Sequence, residues 1–114
     1  MSDFRPSVTV RGGVWTVSLG AAEGGRQVDF EGIVDQTDFG DVVGIEILDL
    51  NRQVEAVAPH SPRRGYPRWS YDDEIDAFYV HVADGPGQVQ RVTSGSALVD
   101  AAGTLTTLEV TVSR

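Results

Sequence analysis

The sequence predicts an all-β protein that is built twice. Two similar short antiparallel β-meander units are expected to pack as a pseudo-dimeric sandwich or partly open barrel. At most one short helix is expected between them, from Asp49 to Val57. Three observations carry this. β-Branched and aromatic residues alternate with polar ones in short runs. Thirteen glycines cut those runs at short intervals. The runs and the glycines also recur in phase when the chain is shifted by 63 residues.

Taken in order, Val8 and Val10 alternate with polar neighbours, and Gly12-Gly13 supplies a hairpin turn. Trp15, Val17 and Leu19 share one face of the next strand, with Thr16 and Ser18 on the other. After the loop GAAEGG, Val28 and Phe30 mark a third strand, and Ile33-Val34-Asp35 a fourth beyond a break at Gly32. A turn at Asp38–Asp41 leads into Val43-Gly44-Ile45-Glu46-Ile47-Leu48. Residues 49–57 lose the alternation and suit two helical turns. Pro59, Pro62, Gly65 and Pro67 then rule out a regular element before Trp69. The organisation read from this is a first unit over 1–57, a linker over 58–68 and a second unit over 69–114, sharing one core.

The 63-residue shift superposes Trp15 on Phe78, Val17 on Val80, Leu19 on Val82, Ile45 on Leu108 and Glu46 on Glu109. It also superposes Gly24, Gly32 and Gly40 on Gly87, Gly95 and Gly103. One strand breaks the pattern. Val28 and Phe30 fall on Arg91 and Thr93, while the aliphatics nearby are Val89 and Val92, and a bulge or register difference is expected there.

Charge and composition narrow the function. The net charge of −8 argues against nucleic acid as a partner, because phosphate binding draws its affinity from cations. The charge is uneven: −6 over residues 1–50, +3 over 51–70 and −5 over 71–114. All nine cations are Arg. With no cysteine, disulfides, thiol nucleophiles and cysteine-based zinc sites are excluded. No apolar run reaches the ~18 residues of a membrane span. The opening MSDFRPSVTV lacks a charged n-region followed by an apolar h-region. A cytoplasmic location is therefore expected.

Tyr71-Asp72-Asp73-Glu74-Ile75-Asp76-Ala77-Phe78-Tyr79-Val80, continued by Ala83-Asp84-Gly85, resembles the front motif of the domain-of-unknown-function 2283 family. Gly95, Val99-Asp100 and Gly103 fit that family's later turn. The first half resembles the back of the same motif, in Gly32-Ile33-Val34-Asp35, Gly40 and Val43-Gly44-Ile45-Glu46-Ile47-Leu48-Asp49. The resemblance implies a short β-meander unit and supplies no activity, catalytic residue or cofactor. The first copy lacks the opening of the motif, and the second carries Thr107-Leu108-Glu109-Val110 in place of GIEIL.

Two constellations are candidates for chemistry. Asp72, Asp73, Glu74 and Asp76 could bind a hard cation, which favours several carboxylate oxygens. They equally suit a solvated turn whose carboxylates accept from nearby amides. Glu46 and Glu109 hold the same slot in the two copies. If they faced each other across a twofold they would raise one another's pKa and serve as a catalytic acid–base pair. The ordinary alternative is an outward strand residue. His81 shares a strand face with Tyr79, and no second histidine stands at metal-ligand spacing. No nucleophile motif or phosphate cradle stands out, so no cofactor is expected. The mixed cationic and aromatic run from Arg63 to Trp69 reads as a self-neutralising linker between acidic halves. The preferred reading is a non-enzymatic binding or self-association module with a protein partner. The alternatives are a small carboxylate- or metal-dependent enzyme using Glu46 and Glu109, and an acidic nucleic-acid mimic.

Overall fold

Alternating sequence becomes strand wherever a turn residue allows the chain to reverse. The computed structural model describes residues 5–20, 24–60 and 64–112. Among them are β1 (Ser7–Arg11), β2 (Val14–Ser18), β3 (Arg26–Gln36), β4 (Val42–Ile47), α1 (Leu50–Val54), β5 (Arg68–Asp72), β6 (Ala77–His81), β7 (Val89–Val99) and β8 (Leu105–Thr111). The eight strands form one antiparallel sheet, curled into a half-barrel, in the order β1-β2-β8-β7-β3-β4-β6-β5. The expected all-β, open-barrel class is therefore present, with one short helix inside the predicted window.

The strand order is a palindrome. Exchanging β1–β4 for β5–β8 and reading from the other end returns the same list. At its centre β3 and β7 pair over their full lengths, and Glu31 lies opposite Ser94, its own equivalent under the 63-residue shift. A local twofold therefore passes between those two residues. On either side Val17 pairs with Leu108, and Ile45 with Val80. These two pairings are images of each other. Each half consequently contributes two hairpins, β1–β2 with β3–β4 and β5–β6 with β7–β8, and no meander forms within a half. β2 pairs with β8 and β4 with β6, so the halves interleave. Interleaving covers three strand edges that a four-stranded unit would otherwise leave open.

Turn chemistry repeats with the strands. Thr37 and Asp100 are equivalents. The Thr37 hydroxyl accepts from the Phe39 and Asp41 amides, and the Asp100 carboxylate from those of Ala102 and Thr104. Gly40 and Gly103 close the two turns at φ 90° and 87°, where a side chain would be strained. Each hairpin then carries one register shift, at Asp35/Gln36 and at Leu98/Val99, again equivalent positions.

Two expectations are corrected here. Gly32 does not break a strand, and neither does its equivalent Gly95, because β3 and β7 run through them without interruption. The mismatch at Phe30 is not a bulge either, since the β3–β7 register is unbroken from Arg26 to Gln36. Its cause is crowding at the twofold. A Cβ on Gly32 would lie 2.8 Å from the Glu46 carbonyl oxygen and 3.0 Å from the Phe30 ring. One on Gly95 would lie 2.5 Å from the Glu109 carbonyl oxygen and 2.7 Å from the same ring. A single ring thus lies over both glycines, and the equivalent position holds the smaller Thr93. Val92, expected among the aliphatics of this strand, points outward and is 69% exposed.

The inner face of the sheet holds one contiguous core drawn from both halves. Trp15, Val17, Leu19, Ile45 and Ile47 are buried with their equivalents Phe78, Val80, Val82, Leu108 and Val110. The radius of gyration, 13.2 Å, is the ~13 Å of one compact domain of this length.

α1 adds Leu50 and Val54 to the core. It lies beside β3 beyond the point where β4 stops pairing. There the Gln53 side chain accepts from the Glu31 amide at 2.8 Å and donates to the Glu31 carbonyl at 3.0 Å, replacing the missing strand. Arg26 donates to the Val54 and Glu55 carbonyls at the helix C-terminus. The chain then crosses to the second half, where Val57 bridges the Thr104 segment and Trp69 Nε1 donates to the Pro59 carbonyl.

Candidate functional site

The outer face of the sheet carries the polar parity of the strands, and the twofold divides it into two equivalent grooves. One, of about 480 Å³, is lined by Ile33, Glu46, Leu48 and Val92, with Glu31, Asp49, Arg52 and Gln53 around them. The other, of about 570 Å³, is lined by Ser96, Glu109, Thr111 and Asp29, with Glu31, Ser94 and Gln53 among its walls. The first four residues of each groove are equivalents one by one. Glu46 and Glu109 do therefore occupy matching positions, as the repeat predicts.

The twofold does not bring the two carboxylates together. β8 and β4 are separated in the sheet by β7 and β3, three inter-strand gaps, or about 14 Å across the strands alone. Glu109 faces Ser96 and Thr16, while Glu46 faces Ile33 and Tyr79. A shared proton or a mutual pKa shift needs carboxylates within a few ångströms of each other. Whatever either glutamate does, it does in its own groove.

The first-half groove borders a polar cluster that its twin lacks. The Tyr79 hydroxyl donates to Asp35 Oδ2 at 2.6 Å, and the His81 ring meets the Tyr79 ring edge-on at 4.5 Å. Gly44 explains how the phenol reaches across β4, because a Cβ there would stand 1.9 Å from the hydroxyl. A Cβ on Gly87 would likewise stand 2.7 Å from the Asp35 Cβ, so that glycine lies close over the aspartate. Burial raises the Tyr79 pKa far above the usual phenol range. The bond to Asp35, the charge of Asp35 and the charge of Glu46 add to the effect in that order. Tyr79 therefore serves as a hydrogen-bond donor and not as a base at neutral pH. Asp35 Oδ1 is buried without a hydrogen-bond partner among the described residues. The equivalents of Asp35, Tyr79, His81 and Gly44 are Leu98, Thr16, Ser18 and Thr107. The Asp35–Tyr79 pair was not among the sequence-predicted site residues. The glycine inside GIEIL was its only signal, since a strand-interior glycine marks a close approach.

The acidic turn between β5 and β6 has a structural occupation. Asp72 Oδ1 accepts from the Glu74 amide, and the Asp73 and Glu74 side chains are exposed. Asp76, at φ 53°, accepts from the Tyr71 hydroxyl at 2.5 Å and from the Asn51 amide. Its backbone carbonyl accepts from the Leu50 amide. Asp76 thus caps the N-terminus of α1 from the opposite half, where Asp49 provides no side-chain cap. Among the described residues, no group of three or more histidine, aspartate or glutamate side chains is placed to hold a metal ion.

No family model, curated protein or solved structure matches the chain.

Proposed function

We propose that the chain is a non-enzymatic protein-binding module whose contact surface is the first-half groove of the outer face. One observation carries this reading. The fold places Asp29, Ser96 and Thr111 in one groove and Val92, Ile33 and Leu48 at the equivalent positions of the other. Polar residues satisfy the fold at these positions, so the aliphatics are not there for packing. Val92 is 69% exposed and Leu48 44%, and carboxylates of Glu31 and Glu46 stand beside them. An apolar centre with a charged rim is the anatomy of a protein contact. The rim favours a partner with a basic border around an apolar anchor.

The test uses two designed peptides, one alternating arginine with leucine and one alternating glutamate with leucine. The basic peptide should shift the methyl resonances of Ile33, Leu48 and Val92, with an affinity that falls as salt rises. The Leu48→Thr/Val92→Asp variant, which copies the twin groove, should fold with stability changed by less than ~0.5 kcal/mol per site and lose the binding. Equal binding of both peptides, or shifts confined to other faces, would overturn the reading. Turnover of a simple ester or phosphate that disappears in Glu46→Gln would overturn its non-enzymatic part.

A further inference from the structure

We infer that two copies of this chain can exchange halves, forming a dimer of two intact half-barrels, each made from the first half of one copy and the second half of the other. Three features of the sheet lead there. Every pairing between named strands of the two halves is a seam, β2·β8, β3·β7 or β4·β6, and the Val57–Thr104 bridge, the Asp35–Tyr79 bond and the Asp76 cap on α1 join the same two halves beside those seams. A second copy presents the same three seams, so exchange reproduces each of these contacts and alters only the crossover between α1 and β5. The Val57 and Tyr66 side chains near the ends of that crossover are 67% and 40% exposed, and the backbone bridge from Val57 to Thr104 is a contact between halves that a second copy reproduces.

The twofold also dictates which halves combine. Phe30 lies opposite Gly95 and Gly32 opposite Thr93, so a single ring fills the space above both glycines. Two first halves pairing about the same axis would bring two rings into a space that holds one. Two second halves would bring none and leave a void. Overfilling and voids both destabilise a core. The surface that a first half presents therefore fits a second half, and the partner it recruits is a second copy of this chain. This inference does not rest on the binding reading above, because exchange leaves the outer face unchanged.

Within one chain the tether holds the halves at an effective concentration of order mM, so monomers dominate below it and exchange competes near it. The native absence of cysteine makes this measurable with two disulfide reporters in the full chain. Ser18→Cys/Thr107→Cys places a pair across the β2·β8 seam, between halves. Thr9→Cys/Thr16→Cys places a pair across β1·β2, within one half. Each variant is unfolded, refolded at a series of protein concentrations and then oxidised. The between-halves pair should give covalent dimers whose ratio to monomer rises about tenfold per tenfold increase in free monomer. The within-half pair should give only monomers on denaturing gels. If the first pair closes within single chains at every concentration, or if both pairs give covalent dimers equally, the inference fails. Circular dichroism of each oxidised product confirms that the fold is present. A dimer without native strand signal would also count against exchange.

Discussion

Phe30 is the residue at which the two halves had to differ. Its ring lies across the twofold over two glycines, and there is room for one ring only. Phe30→Thr should cost about 3–5 kcal/mol, as truncation of a buried phenylalanine does, through lost burial and the cavity left behind. Thr93→Phe alone should cost about 1–3 kcal/mol by overpacking. The double exchange Phe30→Thr/Thr93→Phe moves the ring to the equivalent side and should restore most of the loss. Urea denaturation of the four proteins measures this, and simple additivity of the single losses would contradict the shared-space geometry. The parity of the ten paired core residues was legible in the sequence, because alternation fixes the face. The exception at Phe30 was not, since a ring clash with its own image arises only once the twofold exists. Tyr79 gives a second residue-scale test, through pH. Up to about pH 10 a phenol stays protonated whether the chain is folded or not, so its contribution is constant. Above that, the unfolded chain releases a proton that half-buried Tyr79 retains, and stability falls as pH rises. Tyr71, raised first by its bond to Asp76, contributes in the same direction. Tyr79→Phe should flatten the alkaline limb of a stability–pH curve without abolishing it. An unchanged limb would show that Tyr79 is not held as described.

At the scale of elements, the acidic motif and the helix explain each other. α1 has only five residues, too short to persist without tertiary support. Its first amides are satisfied by Asp76, whose carboxylate Tyr71 orients. Asp76→Ala should therefore cost about 1–2 kcal/mol, as loss of a helix cap does. Asp76→Asn should cost less, because asparagine still accepts hydrogen bonds and tolerates positive φ. Thermal unfolding of the two variants checks the order, and a loss of only a few tenths in Asp76→Ala would mean the cap is idle. The sequence marked this segment as carboxylates entering a strand and left a cation site and a solvated turn both open. The acceptors' actual donor lies 25 residues upstream in the other half, a distance that local pattern cannot bridge. The same limit hid the interleaving. Alternation and turn glycines located the strands, but each hairpin is compatible with either neighbour until the edges are closed.

For the whole molecule, the central consequence of the palindromic sheet is that neither half owns a core. Val17 packs under Leu108 of the other half, and Ile45 under Val80. A unit of about 40 residues without disulfides or metal buries too little surface to fold alone. The chain itself supplies the probes to test this, since Trp15 lies in the first half and Trp69 in the second, both buried. Denaturant unfolding of Trp69→Phe, followed by fluorescence, reports the first half, and Trp15→Phe reports the second. Circular dichroism of each variant reports the whole sheet. Interleaved halves require that fluorescence and circular dichroism coincide within each variant, as one cooperative transition. A tryptophan signal that changes before or after the sheet signal in either variant would show a half unfolding by itself, and would contradict the shared core.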